Sequence, residues 1–153
     1  MTVSGTAVVR YPDGMDPELH RAVRTLAYAS RGLERAVAPL TLPQYRVLAL
    51  VAGAPERASR LAQRVDVTKA ALTGVIDALE ARGFIARTEV DGDRRGVTLV
   101  LTAAGTAALG AADDATTAWL ESVLAPSADR NAVVAALSAL GDAITAQRMS
   151  AAR

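Results

Sequence analysis

Gly83 divides two incompatible hydrophobic periods. On its N-terminal side, Leu72, Val75, Ile76 and Leu79 recur at the spacing of one helix face. On its C-terminal side the pattern becomes that of strands. Phe84-Ile85-Ala86-Arg87-Thr88-Glu89-Val90 reads as one strand, the turn-rich Asp91-Gly92-Asp93 follows, and Val97-Thr98-Leu99-Val100-Leu101 reads as a second. A glycine at the junction suits the left-handed residue that closes a helix. A helix running straight into a hairpin with a long charged tip admits few small folds, and the flanking segments narrow the choice further.

Thr41-Leu42-Pro43-Gln44 has the form of a capping box, with Gln44 placed to reach back to the Thr41 amide. The helix it opens carries Tyr45, Val47, Leu48 and Val51, and stops at Gly53 and Pro55. A short helix then holds Leu61, Ala62 and Val65, Asp66-Val67 makes a brief turn, and Thr68 caps the helix that ends at Gly83. Two short helices, a longer one and a hairpin form the winged helix-turn-helix order. Upstream, Met1 to Met15 shows no helical period and reads as an arm. Asp16 caps a helix with Pro17 at its first position, and Leu19, Val23, Leu26, Leu33 and Val37 make a narrow seam before Pro39 ends it. Downstream, Thr102 caps a helix reaching to about Leu124. Pro126 breaks it, and Ser127 caps a last helix with Val133, Leu137, Leu140 and Ile144 on one face. The expected fold is mainly α with a small β-hairpin wing.

Composition removes several function classes. Apolar residues make up 51% of the 153, much of it alanine, and aromatics only 3%, which favours close-packed helices over a sheet sandwich. There are no cysteines, so thiolate metal sites and thiol redox switches are out, and a single histidine, His20, stands in no motif. We find no phosphate loop, metal-ligand cluster or nucleophile with a base, so neither an enzyme nor a cofactor is expected. No apolar run is long enough for a membrane span, nor does the start look like a signal peptide, so a cytoplasmic protein is expected. Net charge is +1, with a slight basic excess between Thr41 and Thr102, where nine Arg and Lys face seven Asp and Glu. A mixed solvated surface fits those totals as well as a DNA footprint does.

The outer N-terminal face of the Thr68 helix is Thr68, Lys69, Ala70, Thr73 and Gly74. Such small residues let a helix backbone lie close to base edges in a major groove, although an ordinary amphipathic helix has the same look. The hairpin tip, Asp91-Gly92-Asp93-Arg94-Arg95-Gly96, sets two arginines between glycines. Arginine fits the narrow minor groove, and Asp93 is placed to hold the Arg95 guanidinium. The alternative is a charged tip that only keeps strand edges soluble.

Asp93-Arg94-Arg95, five further residues, then Leu101-Thr102 and Gly105 resembles the wing signature of the MarR family of regulators. Leu61-Ala62, Val67, Lys69, Leu72-Thr73, Val75, Leu79-Glu80 and Gly83 resemble its helix-turn-helix, and Leu42, Gln44, Tyr45 and Leu48 the helix before it. The resemblance covers about Thr41 to Gly105 by motif.

It implies a homodimeric, sequence-specific transcriptional regulator, a repressor on an inverted-repeat operator in double-stranded DNA. Arg95 would enter the minor groove braced by Asp93, Arg94 would meet phosphate, and Thr68, Lys69, Ala70, Thr73 and Gly74 would face the major groove. The seams of the flanking helices would pair two copies, giving residues 1–40 as arm and dimerisation helix, 41–102 as DNA-binding domain and 103–153 as further dimerisation helices. A small-molecule effector, often an aromatic acid in this family, would bind near Arg24, Tyr28, Tyr45, Arg46 and Trp119. Two departures stand out. Positions 70 and 71 are alanine where hydroxyl residues are frequent, and Gly74 replaces a frequent arginine. A winged-helix module for protein contacts, without DNA, is the competing expectation.

Overall fold

The computed structural model describes residues 16–53, 56–57, 61, 68–90 and 93–151. The expected arm, the Ala62–Val67 segment, Pro55 and the Asp91-Gly92 connection lie outside the described residues. The chain divides into two units, residues 1–32 and 33–153.

In the first unit the described element is most of α1 (Pro17–Ala36). The Asp16 carboxylate accepts the Glu18 amide at 2.9 Å, as expected for its cap. Leu19, Val23 and Leu26 are exposed.

The second unit holds the end of α1, α2 (Leu42–Gly53), α3 (Lys69–Ala81), α4 (Ala103–Leu124) and α5 (Arg130–Ala151). It also holds a three-stranded antiparallel sheet of β1 (Glu56–Arg57), β2 (Ile85–Val90) and β3 (Asp93–Leu101), in the order β1-β3-β2. Three of its caps form where the sequence puts them. The Thr41 amide donates to Gln44 Oε1 at 3.0 Å while the Gln44 amide donates to Thr41 Oγ1 at 3.3 Å, a reciprocal capping box. Thr68 and Thr102 cap α3 and α4 through their hydroxyls. At the end of α3, Gly83 has φ of 67°, its amide donates to the Glu80 carbonyl at 2.8 Å, and the Phe84 amide donates to the Leu79 carbonyl at 2.9 Å. This is the Schellman closure that a glycine in the left-handed region permits.

One core joins α2, α3, α4 and the sheet. Val47, Leu48 and Val51 from α2 meet Leu61, Leu72, Ile76 and Leu79, and the sheet adds Ile85 and Leu99 while α4 adds Leu109 and Ala112. Each fully buried leucine stabilises the fold by about 1.5–3 kcal/mol. The helical face read from the sequence, Leu72, Ile76 and Leu79, is buried, with Val75 packed at its rim.

Three details differ from the sequence reading. The last helix starts at Arg130, capped by Asp129, whose carboxylate accepts the Ala132 amide at 2.9 Å, while the Ser127 amide turns back to the Leu124 carbonyl. A two-residue strand, Glu56–Arg57, pairs with Leu99 and Thr98, a pairing too short to leave a hydrophobic period. Arg94, Arg95 and Gly96 belong to β3 rather than to a loop at the tip. Val90 already pairs with Asp93, so the connection needs only two residues, a length natural to antiparallel pairs.

Candidate nucleic-acid interface

α3 begins at a well-capped end. Thr68 has extended backbone angles, and its hydroxyl accepts the Ala71 amide at 3.2 Å. Thr68, Ala70, Thr73 and Gly74 are all exposed on the first two turns. A Cβ built on Gly74 would meet nothing within 4 Å, so packing does not demand a glycine there. Beyond Lys69, no side chain on this face exceeds the size of threonine, so the helix barrel itself can approach a partner. The Lys69 side chain lies outside the described residues.

The hairpin carries the other half of the site. Val97 of β3 pairs with Glu89, and the next paired residue, Asp93, faces Val90. Arg94, Arg95 and Gly96 therefore stand against no residue of β2, and the register skips them as a bulge. Bulges of this kind re-aim a strand locally. The side chains of Asp93, Arg94 and Arg95 lie outside the described residues.

The base of the hairpin is tied to both neighbouring helices. The Thr102 amide donates to the Phe84 carbonyl at 3.1 Å, and its hydroxyl donates to the Gly83 carbonyl at 2.6 Å while accepting the Gly105 amide at 3.0 Å. A Cβ on Gly105 would collide with the Phe84 carbonyl oxygen and lie 2.8 Å from its carbon. The Leu101-Thr102 and Gly105 motif is thus a joint between β3, α4 and the end of α3.

Two arginines that the sequence did not single out act near this joint. Arg82, the α3 C-cap, donates to the Pro39 carbonyl at 3.3 Å and to Gln44 Oε1 at 3.4 Å, and lies 4.5 Å from the Phe84 ring centre. Arg87 on β2 pairs with Asp77 at 3.1 Å and Glu80 at 2.9 Å on α3. The signals were faint: an arginine two residues before the sequence's sole phenylalanine, and two carboxylates three apart on a helix.

The effector candidates fall into both units. Arg24 and Tyr28 are exposed on α1, while Arg46 is exposed and Tyr45 and Trp119 are half-buried in the second unit. Tyr45 has a structural partner, its hydroxyl donating to Asp113 Oδ1 at 2.7 Å across α2 and α4. Burial, followed by this carboxylate, raises the Tyr45 pKa above the ordinary 10.0. A cavity of about 260 Å³ lies between Val37–Leu40 and Ala108–Ala112, edged by Arg82 and Phe84. A second, of about 290 Å³, is lined by Glu34 and Leu40–Pro43. None of the five candidates lines either cavity. Among the described residues no His, Asp and Glu cluster could hold a metal ion.

A family model described as the MarR family matches residues 38–96. The structure also resembles, at TM-score 0.69 and 26% identity, the MarR family protein Rv2887 of Mycobacterium tuberculosis in complex with salicylic acid, covering 84% of this chain and 99% of that one. Over residues 38–96 the chain is similar to the MarR family. A further match is the transcriptional repressor CouR bound to a 23-mer DNA duplex, at TM-score 0.71, 28% identity and coverage of 87% of this chain and 99% of that one. A MarR family regulator from Rhodococcus sp. RHA1 shares the fold at TM-score 0.72 and 18% identity, covering 90% of this chain and 96% of that one. No curated protein sequence matches the chain. The MarR family is one of transcriptional regulators, and no helix among the described residues is long and apolar enough to cross a membrane.

Proposed function

We propose that the chain is a homodimeric repressor that binds an inverted-repeat operator in double-stranded DNA and is released by a small molecule. The observation that carries this is the pairing, within one unit, of an exposed, smooth helix start at Thr68–Gly74 with a hairpin whose bulge holds Arg94 and Arg95. Thr68, Lys69, Ala70, Thr73 and Gly74 are assigned to the major groove, Arg95 with Asp93 to the minor groove, and Arg94 to phosphate. With so few base-reading side chains on α3, DNA shape carries much of the selectivity.

The dimer is supported by unsatisfied apolar surface. Leu19, Val23 and Leu26 on α1 and Val133, Val134, Leu137, Leu140 and Ile144 on α5 are exposed, as is every other described side chain of α5. An isolated helix that buries no face is marginal in water, so α5 needs a partner. Residues 1–40 and 103–153 are accordingly assigned to dimerisation and 41–102 to DNA. The duplex bound by CouR and the salicylic acid bound by Rv2887 support the DNA and effector roles. Arg24, Tyr28, Tyr45, Arg46 and Trp119 remain the assigned effector residues, and the protein acts in the cytoplasm.

The test is a gel-shift titration against the chain's own upstream region at several salt concentrations. A shift that weakens steeply with salt and collapses in Arg95→Ala is expected. No salt-sensitive shift on any inverted repeat would sink the proposal. A partner contact that survives Arg95→Ala would favour the protein-interaction reading.

A further inference from the structure

Arg87 stands on an unexpected face. It pairs with Leu99 across the sheet, and Ile85, two residues before it, pairs with Leu101. Side chains two apart on a strand share a face, so Arg87 issues from the side of the sheet that buries Ile85 and Leu99. Its side chain remains about half exposed, 48%, so its partners are set by reach rather than forced by burial. It meets two carboxylates on α3, with one nitrogen, Nη2, lying 3.1 Å from Asp77 Oδ1 and 2.9 Å from Glu80 Oε2.

These contacts join the two parts of the assigned interface. Asp77 and Glu80 lie on the same helix as Thr68–Gly74, one and two turns beyond it. Arg87 lies three residues before Val90, roughly 10 Å along the strand at the usual rise, where the Arg94–Gly96 bulge begins. Among the described residues these are the side-chain ion pairs that span α3 and the hairpin.

We propose that Arg87 is a positioning residue for DNA binding. It holds the hairpin at a fixed angle to α3 and neutralises two carboxylates that would otherwise face the phosphates. This rests on the DNA-binding reading above. Arg87 acts through Asp77 and Glu80, not through a contact of its own with DNA.

The experiment is a mutant cycle on the full-length protein, with duplexes selected by the wild type from a random-sequence pool. Arg87→Gln should weaken binding roughly tenfold in the wild-type background, a coupling ordinary for one ion-pair network. In the Asp77→Asn, Glu80→Gln background the same change should cost less than about twofold. Equal losses in both backgrounds would mean that Arg87 touches DNA itself and would overturn the proposal. Hydrogen exchange of the DNA-free protein provides a second readout. Amides of β2 should exchange faster in Arg87→Gln and in the double carboxylate variant alike, and unchanged exchange would overturn the clamp. A wild type that selects no duplex overturns the DNA-binding reading, whereas a bound duplex with no coupling overturns only the role of Arg87.

Discussion

Two glycines on one helix should respond to the same substitution with opposite signs. Gly105 and Gly110 both lie in α4, but a Cβ at Gly105 meets the Phe84 carbonyl, while one at Gly110 meets nothing within 4 Å. Alanine favours a helix over glycine by about 1 kcal/mol, so Gly110→Ala should stabilise by up to that amount. At Gly105 the same gain is overwhelmed. The Phe84 carbonyl is backbone and is held by the Thr102 amide at 3.1 Å, so it cannot swing aside like a side chain. Forcing it away strains a packed joint by about 1–3 kcal/mol. It also loosens the Thr102 bonds to Phe84 and Gly83, each contributing about 0.5–1.5 kcal/mol. Mid-range costs of about 4 kcal/mol, less the propensity gain of about 1, leave a net loss of about 3 kcal/mol for Gly105→Ala. At about 2–4 °C per kcal/mol for a chain of this size, Tm should fall by roughly 6–12 °C, and Gly110→Ala should raise it by a few degrees. Thermal unfolding followed by circular dichroism at one fixed protein concentration measures both. A Gly105→Ala protein as stable as the wild type would refute the claim that the joint is tight.

Tyr45→Phe should cost about 1 kcal/mol by removing the bond to Asp113. It should also flatten the alkaline limb of the stability curve. The Tyr45 pKa is raised in the fold, so its contribution is complete below pH 10.0 and is lost as pH rises through the folded value. A denaturant series at rising pH that gives parallel curves would contradict this. Leu137→Asp changes a position 41% exposed in the protomer. It should shift sedimentation from dimer to monomer and lower the helicity of α5, while the core built by α2, α3, α4 and the sheet, to which Leu137 contributes nothing, still unfolds cooperatively. An unchanged dimer would move the interface elsewhere. Thr41→Ala breaks the reciprocal cap on α2 and should destabilise by about 1 kcal/mol in urea unfolding, with no change in m.

What the sequence made legible was largely local. A cap depends on residues three apart, so Thr41 with Gln44, and Thr68 and Thr102 at their helices, could be placed by inspection. The buried face of α3 followed from its period. Ser127 and Asp129 are both good caps, and spacing alone does not choose between them. The choice falls to Asp129 because the chain first turns back at Ser127. The early start of β3 was hidden because a bulge breaks the alternation that marks a strand. For the interface, the order of helix and hairpin could be read, but the Arg87 ion pairs join residues seven and ten apart on different elements. The wing motif was recognisable as a pattern, whereas its cause, a helix start pressed on the Phe84 carbonyl, needed the fold.

That joint also limits how the second unit can respond to force. Because Thr102 is bonded to the residues that end α3 and Gly105 rests on the same peptide, no slack separates the first turn of α4 from the last turn of α3. Twisting α4 about its long axis must carry the C-terminal end of α3 with it, as a crank carries its shaft.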